Sequence, residues 1–336
     1  MIKRWIGCGV VAVSAALCCV PVTAQTAEPA AIMQQAMMGL GPLPGASVVR
    51  PLDAEGWHEL VAEHAWPTPH FRDWPVGVDE HPIVETRRAD KLVHTMRSWE
   101  STARLRSLYG KNNERLQKLN PDVDLTDLEE GDEVVVWQRD EEAISESRGE
   151  PQGGWLIDGE PMPDSEHYSL QYPHRTFGTY YTISESVRVL DTYYERFPDA
   201  DPLVIGDVSR RTGRSMSPHR SHQAGRDIDI SLPRTDEPPD YERIYRVAPR
   251  HLDVERTLWV MTSFLEGGHV KYIFVDWNHQ RRMWELARDQ GAPEEWLESA
   301  FEYPERGSRG IIRHEPGHVG HFHVRFYCQH TDEWCQ

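Results

Sequence analysis

Two short stretches of the chain concentrate residue types that can hold a metal ion and move protons. The first is Ser217-Pro218-His219-Arg220-Ser221-His222-Gln223-Ala224-Gly225-Arg226-Asp227-Ile228-Asp229, and the second is His318-Val319-Gly320-His321-Phe322-His323-Val324-Arg325-Phe326. Imidazole nitrogen and carboxylate oxygen are ligands that zinc accepts besides thiolate, and a catalytic zinc typically takes three protein ligands and a water. Side chains alternate faces along an extended segment, so His321 and His323 project to one side of a strand. One can then bind the metal while its neighbour stays free for proton transfer. This pattern points to a metal-activated hydrolase. Glu315-Pro316-Gly317-His318 offers a rival arrangement, with Glu315 as base and His318 as ligand. The Pro-Gly pair between them favours a turn over a rigid presenting element.

The flanks narrow the reading. Leu203-Val204-Ile205-Gly206-Asp207-Val208-Ser209 reads as a buried strand running into a polar loop, and Ile228 to Leu232 as a second strand. This run through Asp229, and the ending Gly317-His318-Val319-Gly320-His321-Phe322-His323-Val324-Arg325-Phe326-Tyr327-Cys328, resemble the penicillin-insensitive murein endopeptidases. The resemblance covers residues 165 to 336. Those enzymes belong with the D-Ala-D-Ala metallopeptidases and lysostaphin-type peptidases, which share a small zinc fold and cut peptidoglycan stem peptides. The resemblance implies one zinc ion per catalytic domain, held by His222, Asp229 and His323. It makes His321 the catalytic histidine, with His219 and His318 lining the site. Gly225 lets the chain turn between His222 and the strand. Asp227 shares a strand face with Asp229 and either orients a ligand from behind or is a solvated carboxylate. Ser209, Arg210 or Arg214 in the polar loop either holds a stem-peptide carboxylate by charge-assisted hydrogen bonds or is simply solvated.

The substrate this resemblance implies is the D-alanyl to meso-diaminopimelyl cross-link of peptidoglycan. A carboxypeptidase trimming terminal D-Ala and a non-catalytic wall-binding protein are the alternatives. The zinc would supply the nucleophile, so no acyl-enzyme forms, and β-lactams would have no serine to trap.

The N-terminus carries Lys3 and Arg4, then an uncharged apolar run from Trp5 to Val20 and a Val22-Thr23-Ala24 cleavage pattern, as in a signal peptide spanning residues 1–24. The apolar run is too short for a transmembrane helix, so a periplasmic protein without a stable membrane anchor is expected. Removing it takes Cys8, Cys18 and Cys19 of the five cysteines and leaves Cys328 and Cys335. In an exported chain these two read as a disulfide, and the related endopeptidases carry a similarly spaced pair. Losing Lys3 and Arg4 also takes the net charge from −18 to −20. So acidic a surface argues against nucleic acid as a partner.

Residues 25–89 have little periodic pattern, the first part resembling a tether. A second unit spans residues 90–139, with a strand at Asp90 to Met96, helices at Ser101 to Tyr109 and Asn112 to Pro121, and a strand at Val134 to Trp137. Leu116-Gln117-Lys118-Leu119-Asn120-Pro121 and Leu128-Glu129-Glu130-Gly131-Asp132-Glu133-Val134 resemble a LysM domain. That resemblance implies a βααβ module binding peptidoglycan glycan, though Arg97-Ser98-Trp99-Glu100 replaces the usual Gly-Asp-Thr turn. On this reading chemistry does not need the module. Residues 140–164 are acidic, Gly- and Pro-rich, and read as a linker. Beyond them a helix is expected from Ser184 to Phe197, a second from Asp253 to Leu265, and a strand from Val270 to Val275. Helices laid against a small antiparallel sheet make an α+β domain.

Overall fold

Two capped helices between two paired strands open the part of the chain described by the computed structural model, which covers residues 85–336. The expected signal peptide and nearly all of the 25–89 stretch lie outside those residues. β1 (Lys91–Thr95) pairs antiparallel with β2 (Glu133–Gln138), and α1 (Thr102–Tyr109) and α2 (Asn113–Leu119) lie between them in sequence. Ser101 and Asn112 cap the helices by accepting from the amides of Arg104 and Arg115, which satisfies donors the first turn leaves open. Gly110 ends α1 at φ 61, a left-handed conformation that glycine adopts without steric cost. The order along the chain is strand, helix, helix, strand.

Its core does not close on itself. Leu92, Leu105, Leu116, Val134 and Val136 share one buried cluster with Leu156 and Phe177 from the following chain. Arg211 seals the same junction by donating to the carbonyls of Tyr109 (2.9 Å) and Gly110 (3.3 Å) at the open end of α1. Ahead of β1, Arg87 pairs with Asp191 at 2.7 Å and Arg88 with Glu160 at 2.6 Å. All described residues fall in one compact unit. The stretch expected as a linker carries β3 (Glu146–Arg148), which pairs with β4 (Trp155–Ile157), and β5 (Glu160–Pro161), which pairs with β7 (Phe177–Gly178).

A six-stranded sheet forms the rest of the scaffold. It comprises β6 (Tyr168–Leu170), β8 (Leu203–Ile205), β9 (Asp227–Ser231), β10 (Val270–Val275), β11 (Ile312–His314) and β12 (His321–Phe326). Their order is β11-β10-β12-β9-β8-β6. The central pairings are antiparallel, but β6–β8 and β10–β11 are parallel. The expected antiparallel sheet is therefore mixed. A parallel pair needs a crossover, usually helical, and helices the sequence left unread supply one of them.

The first crossover is α3 (Tyr180–Arg196), which begins at Tyr180 rather than Ser184 because Thr179 caps it. After α4 (Val254–Glu266), where Asp253 is the cap, α5 (Trp277–Asp289) and α6 (Glu294–Ala300) make the second crossover. One sheet face is apolar throughout its centre: Ile228, Ile230, Phe322, Val324 and Phe326 are fully buried. Phe264 of α4 packs on Phe322 and Phe326 at 6.2 and 6.1 Å. Burying such a side chain contributes about 1.5–3 kcal/mol, so this face fixes the register and leaves the opposite face free for chemistry. Cys328 and Cys335 form a disulfide just after β12.

Candidate metal centre

Strand alternation sets half of the site. In the β9–β12 ladder His321 lies opposite Ser231, His323 opposite Asp229, and Arg325 opposite Asp227. With a period of two, these odd-numbered side chains share the face away from the helices. Directly paired residues have Cβ atoms about 5 Å apart, close enough for His323 Nδ1 to reach within 3.2 Å of Asp229 Oδ1.

A loop sets the other half. The chain leaves β8, forms the polar Asp207–Ser209 segment, and returns to β9 through the His219–Gly225 stretch. Gly225 makes the last turn at φ 70, with Leu156 packed so closely that a Cβ would lie 2.8 Å from its methyl carbon. His222 itself has φ 62, a conformation uncommon for a residue bearing a Cβ. Two bonds hold it there. Its amide donates to Asp227 Oδ2 at 2.9 Å, and its Nδ1 donates to the Val208 carbonyl at 2.9 Å.

These contacts fix the protons. A carbonyl or carboxylate only accepts, so the nitrogen hydrogen-bonded to it donates, and in a neutral imidazole the other nitrogen is then an acceptor. His222 spends Nδ1 on Val208, His323 spends Nε2 on Asp227 Oδ1 (2.9 Å), and His219 spends Nε2 on Asp207 Oδ2 (2.7 Å). The remaining nitrogen of each ring faces Asp229: His222 Nε2 at 3.3 Å, His323 Nδ1 at 3.2 Å and His219 Nδ1 at 3.9 Å. His321 Nε2 is 3.7 Å from the same carboxylate. His222 Nε2 and Asp229 Oδ1 are buried and have no hydrogen-bond partner. Two such acceptors facing one another cost free energy unless a cation lies between them.

Donor atoms converge in two triads, each with all members within 4.8 Å: His219, His222 and Asp229, and Asp229, His318 and His321. Asp229 belongs to both. His323 belongs to neither and meets Asp229 one to one. The residues present fit a divalent metal, with His219, His222, Asp229 and His323 the donors whose open atoms point inward.

The electrostatics agree. Burial opposes ionisation of Asp229, but the imidazoles of His222 and His321 outweigh it and hold its carboxyl well below the usual range. Asp227 is likewise held low, against burial, by His323 and Arg325. In the metal-free protein burial disfavours the His323 imidazolium, yet Asp227 and Asp229 lift it to about 9. Burial pushes His318 down to about 3, with His321 and His323 adding to the shift, and it lowers His321 as well. A site that stabilises a proton on His323 this strongly is a site that stabilises positive charge.

The other expected residues are placed as follows. His318 stacks against His321 at 4.7 Å and has a buried Nδ1 without a partner. Asp227 is buried at the back of the site, bonded to His222, His323 and Arg325. Glu315 is exposed. Ser209 is fully buried with its hydroxyl bonded to the Phe177 and Arg210 carbonyls, so it lies beneath the loop surface. Arg210 and Arg214 are exposed. Two residues went unread in the sequence. Arg325 donates to Asp227 Oδ1 at 2.7 Å, and the alternation that paired His321 with His323 would have found it one step further on. Phe274 of β10 stands edge-on to His323 at 5.4 Å and has no local sequence signal.

No individually curated protein matches the chain. Residues 148–336, more than half of it, match the penicillin-insensitive murein endopeptidase family. The match takes in every residue of the His/Asp cluster as well as β4 and β5. The chain is a member of the penicillin-insensitive murein endopeptidases.

Proposed function

We propose that the protein is an exported zinc peptidase that hydrolyses the D-alanyl to meso-diaminopimelyl cross-links of peptidoglycan in the periplasm. The observation that carries this reading is the convergence of imidazole nitrogens on Asp229, with His222 Nε2 and Asp229 Oδ1 buried and without a hydrogen-bond partner. A mixed imidazole and carboxylate donor set suits zinc, which takes three such ligands in catalytic sites. His222, Asp229 and His323 are the proposed ligands. When bound, zinc supplies Lewis acidity toward a carbonyl and a water acidic enough to ionise near neutral pH.

The chain's own residues do the rest. Asp227 fixes the His323 tautomer through Nε2–H and anchors the His222 amide, so one buried carboxylate orients two ligands. Arg325 shares Asp227 and keeps it ionised. His321 is only partly covered, and burial favours its neutral form. It is therefore equipped to take a proton near neutral pH and return it to the departing amine. His318 stays neutral beside it, with an open Nδ1.

A second ligand set has His219 in place of His323, as the triad of His219, His222 and Asp229 favours. The two sets differ in outcome: His219→Ala leaves the metal bound on the first reading and releases it on the second. The βααβ unit is proposed to contact glycan. Digestion of purified cross-linked muropeptides, with and without a chelator, tests the whole assignment. Loss of dimers that stops with chelator and returns with zinc supports it, and release of terminal D-Ala alone would replace it with a carboxypeptidase.

A further inference from the structure

A line of aromatic and guanidinium side chains leads from the His/Asp cluster onto the βααβ unit. It starts at Asp207, which accepts from His219 at 2.7 Å and from Arg175 at 3.0 Å. Arg175 ends the 3-10 turn Pro173–Arg175, and its guanidinium lies 5.3 Å over the ring of Tyr172. Tyr172 is 39% exposed and meets His174 at 6.0 Å. His174 faces Tyr109, the last residue of α1, at 6.1 Å. The Tyr109 hydroxyl meets His94 Nδ1 at 3.0 Å, and His94 Nε2 meets the carboxylate of Glu100, next to Trp99, at 2.8 Å. The Arg104 guanidinium in turn lies 5.9 Å over Trp99, which is 64% exposed in the β1–α1 connection.

Packing does not explain this line. Trp99 and Tyr172 are among the few large apolar side chains left exposed in the described residues, and each has an arginine over its face. The junction beneath them is fixed by Arg211 and by the shared core of Leu156 and Phe177. The segments bearing Trp99 and Tyr172 are therefore joined through one buried core.

We propose that Trp99, Arg104, Tyr172 and Arg175 form a binding track for the peptidoglycan glycan strand, running from the βααβ unit to the metal centre. The proposal rests on the peptidase reading above. Sugar rings present C–H faces that stack on exposed aromatic rings, while the stem peptides hanging from the strand carry carboxylates that guanidinium groups pair with. In a chain of net charge −18 the two guanidinium groups give such carboxylates a local counter-charge, Arg175 sharing its own with Asp207. The strand would lie along the track while one of its stem peptides enters the centre at Asp229.

The test compares two substrates of the full chain: cross-linked stem-peptide dimers stripped of sugar, and the same dimers attached to glycan chains. Trp99→Ala and Tyr172→Ala should each raise KM for the glycan-bearing substrate roughly three- to tenfold. Turnover at saturation and KM for the sugar-free dimer should stay as in the wild type. Equal KM changes on both substrates, or none on either, would overturn the track. Wild-type protein that leaves the sugar-free dimer uncut would refute the peptidase reading instead. The track is then judged by retention on sacculi, which both variants must still weaken.

Discussion

Asn120 and the His222–Asp229 pair are equally buried polar groups with opposite fates. Asn120 closes the βααβ core with three bonds: its amide donates to the Leu116 and Val135 carbonyls and its oxygen accepts from Val135. Around Asp229, four buried atoms lack any partner: His222 Nε2, Asp229 Oδ1, Asp207 Oδ1 and His318 Nδ1. Each such atom costs about 1–3 kcal/mol. Unlike the atoms of Asn120, the open atoms here are imidazole nitrogens and a carboxylate oxygen facing one another across 3.2 to 3.9 Å. The first region is completed by the chain alone, and the second presents donor atoms that could hold a metal ion.

That contrast breaks most visibly at Asp229. Asp229→Ala should abolish both metal retention and peptidase activity, as measured by metal analysis and dimer digestion, because it removes the atom on which the imidazoles converge. His321→Ala should keep its metal and lose about 10²- to 10⁴-fold in turnover. If the metal leaves with it, His321 is a ligand in the triad with His318. Asp227→Asn should weaken metal affinity about 10- to 100-fold, read by competition with a chromophoric chelator, while the fold persists. Asn120→Ala should cost about 1–3 kcal/mol in urea melts and leave metal affinity unchanged, since it exposes backbone groups in the self-satisfied region only.

The pH dependence sharpens the same comparison. The folded pKa of His323, about 9, lies above its ordinary 6.5. The metal-free protein should therefore hold this contribution to stability fully below pH 6.5 and lose it as pH rises through 9. With metal on the imidazole the proton is displaced, so thermal melts of the loaded protein should not show that loss. Parallel pH profiles with and without metal would contradict ligation by His323.

The legibility of these regions followed from what each signal encodes. His321 and His323 were readable as same-face residues because strand alternation is strictly local, and β12 obeys it. α4 was readable from Asp253 onward because its buried face is mostly apolar. α5 was not, because its buried face includes His279 and Gln280 beside Met283 and Ala287, which breaks the apolar period. The parallel β10–β11 edge was hidden for the same reason, since it depends on α5 and α6, which had gone unseen. The junction between the βααβ unit and the sheet depends on Leu156, Phe177 and Arg211, contacts over long sequence separation with no local pattern. The convergence of the histidines on Asp229 was legible only through the family resemblance. The proton assignments needed the Val208 carbonyl and the Asp207 and Asp227 carboxylates in place.

Zinc content and cross-link turnover, measured together on His323→Ala, test the central claim most directly. His323 is the proposed ligand that stands outside both donor triads. The variant should fold, retain no stoichiometric zinc, and leave cross-linked dimers intact at zinc concentrations that saturate the wild type. A His323→Ala protein that holds one zinc and still cuts the dimers would contradict that claim.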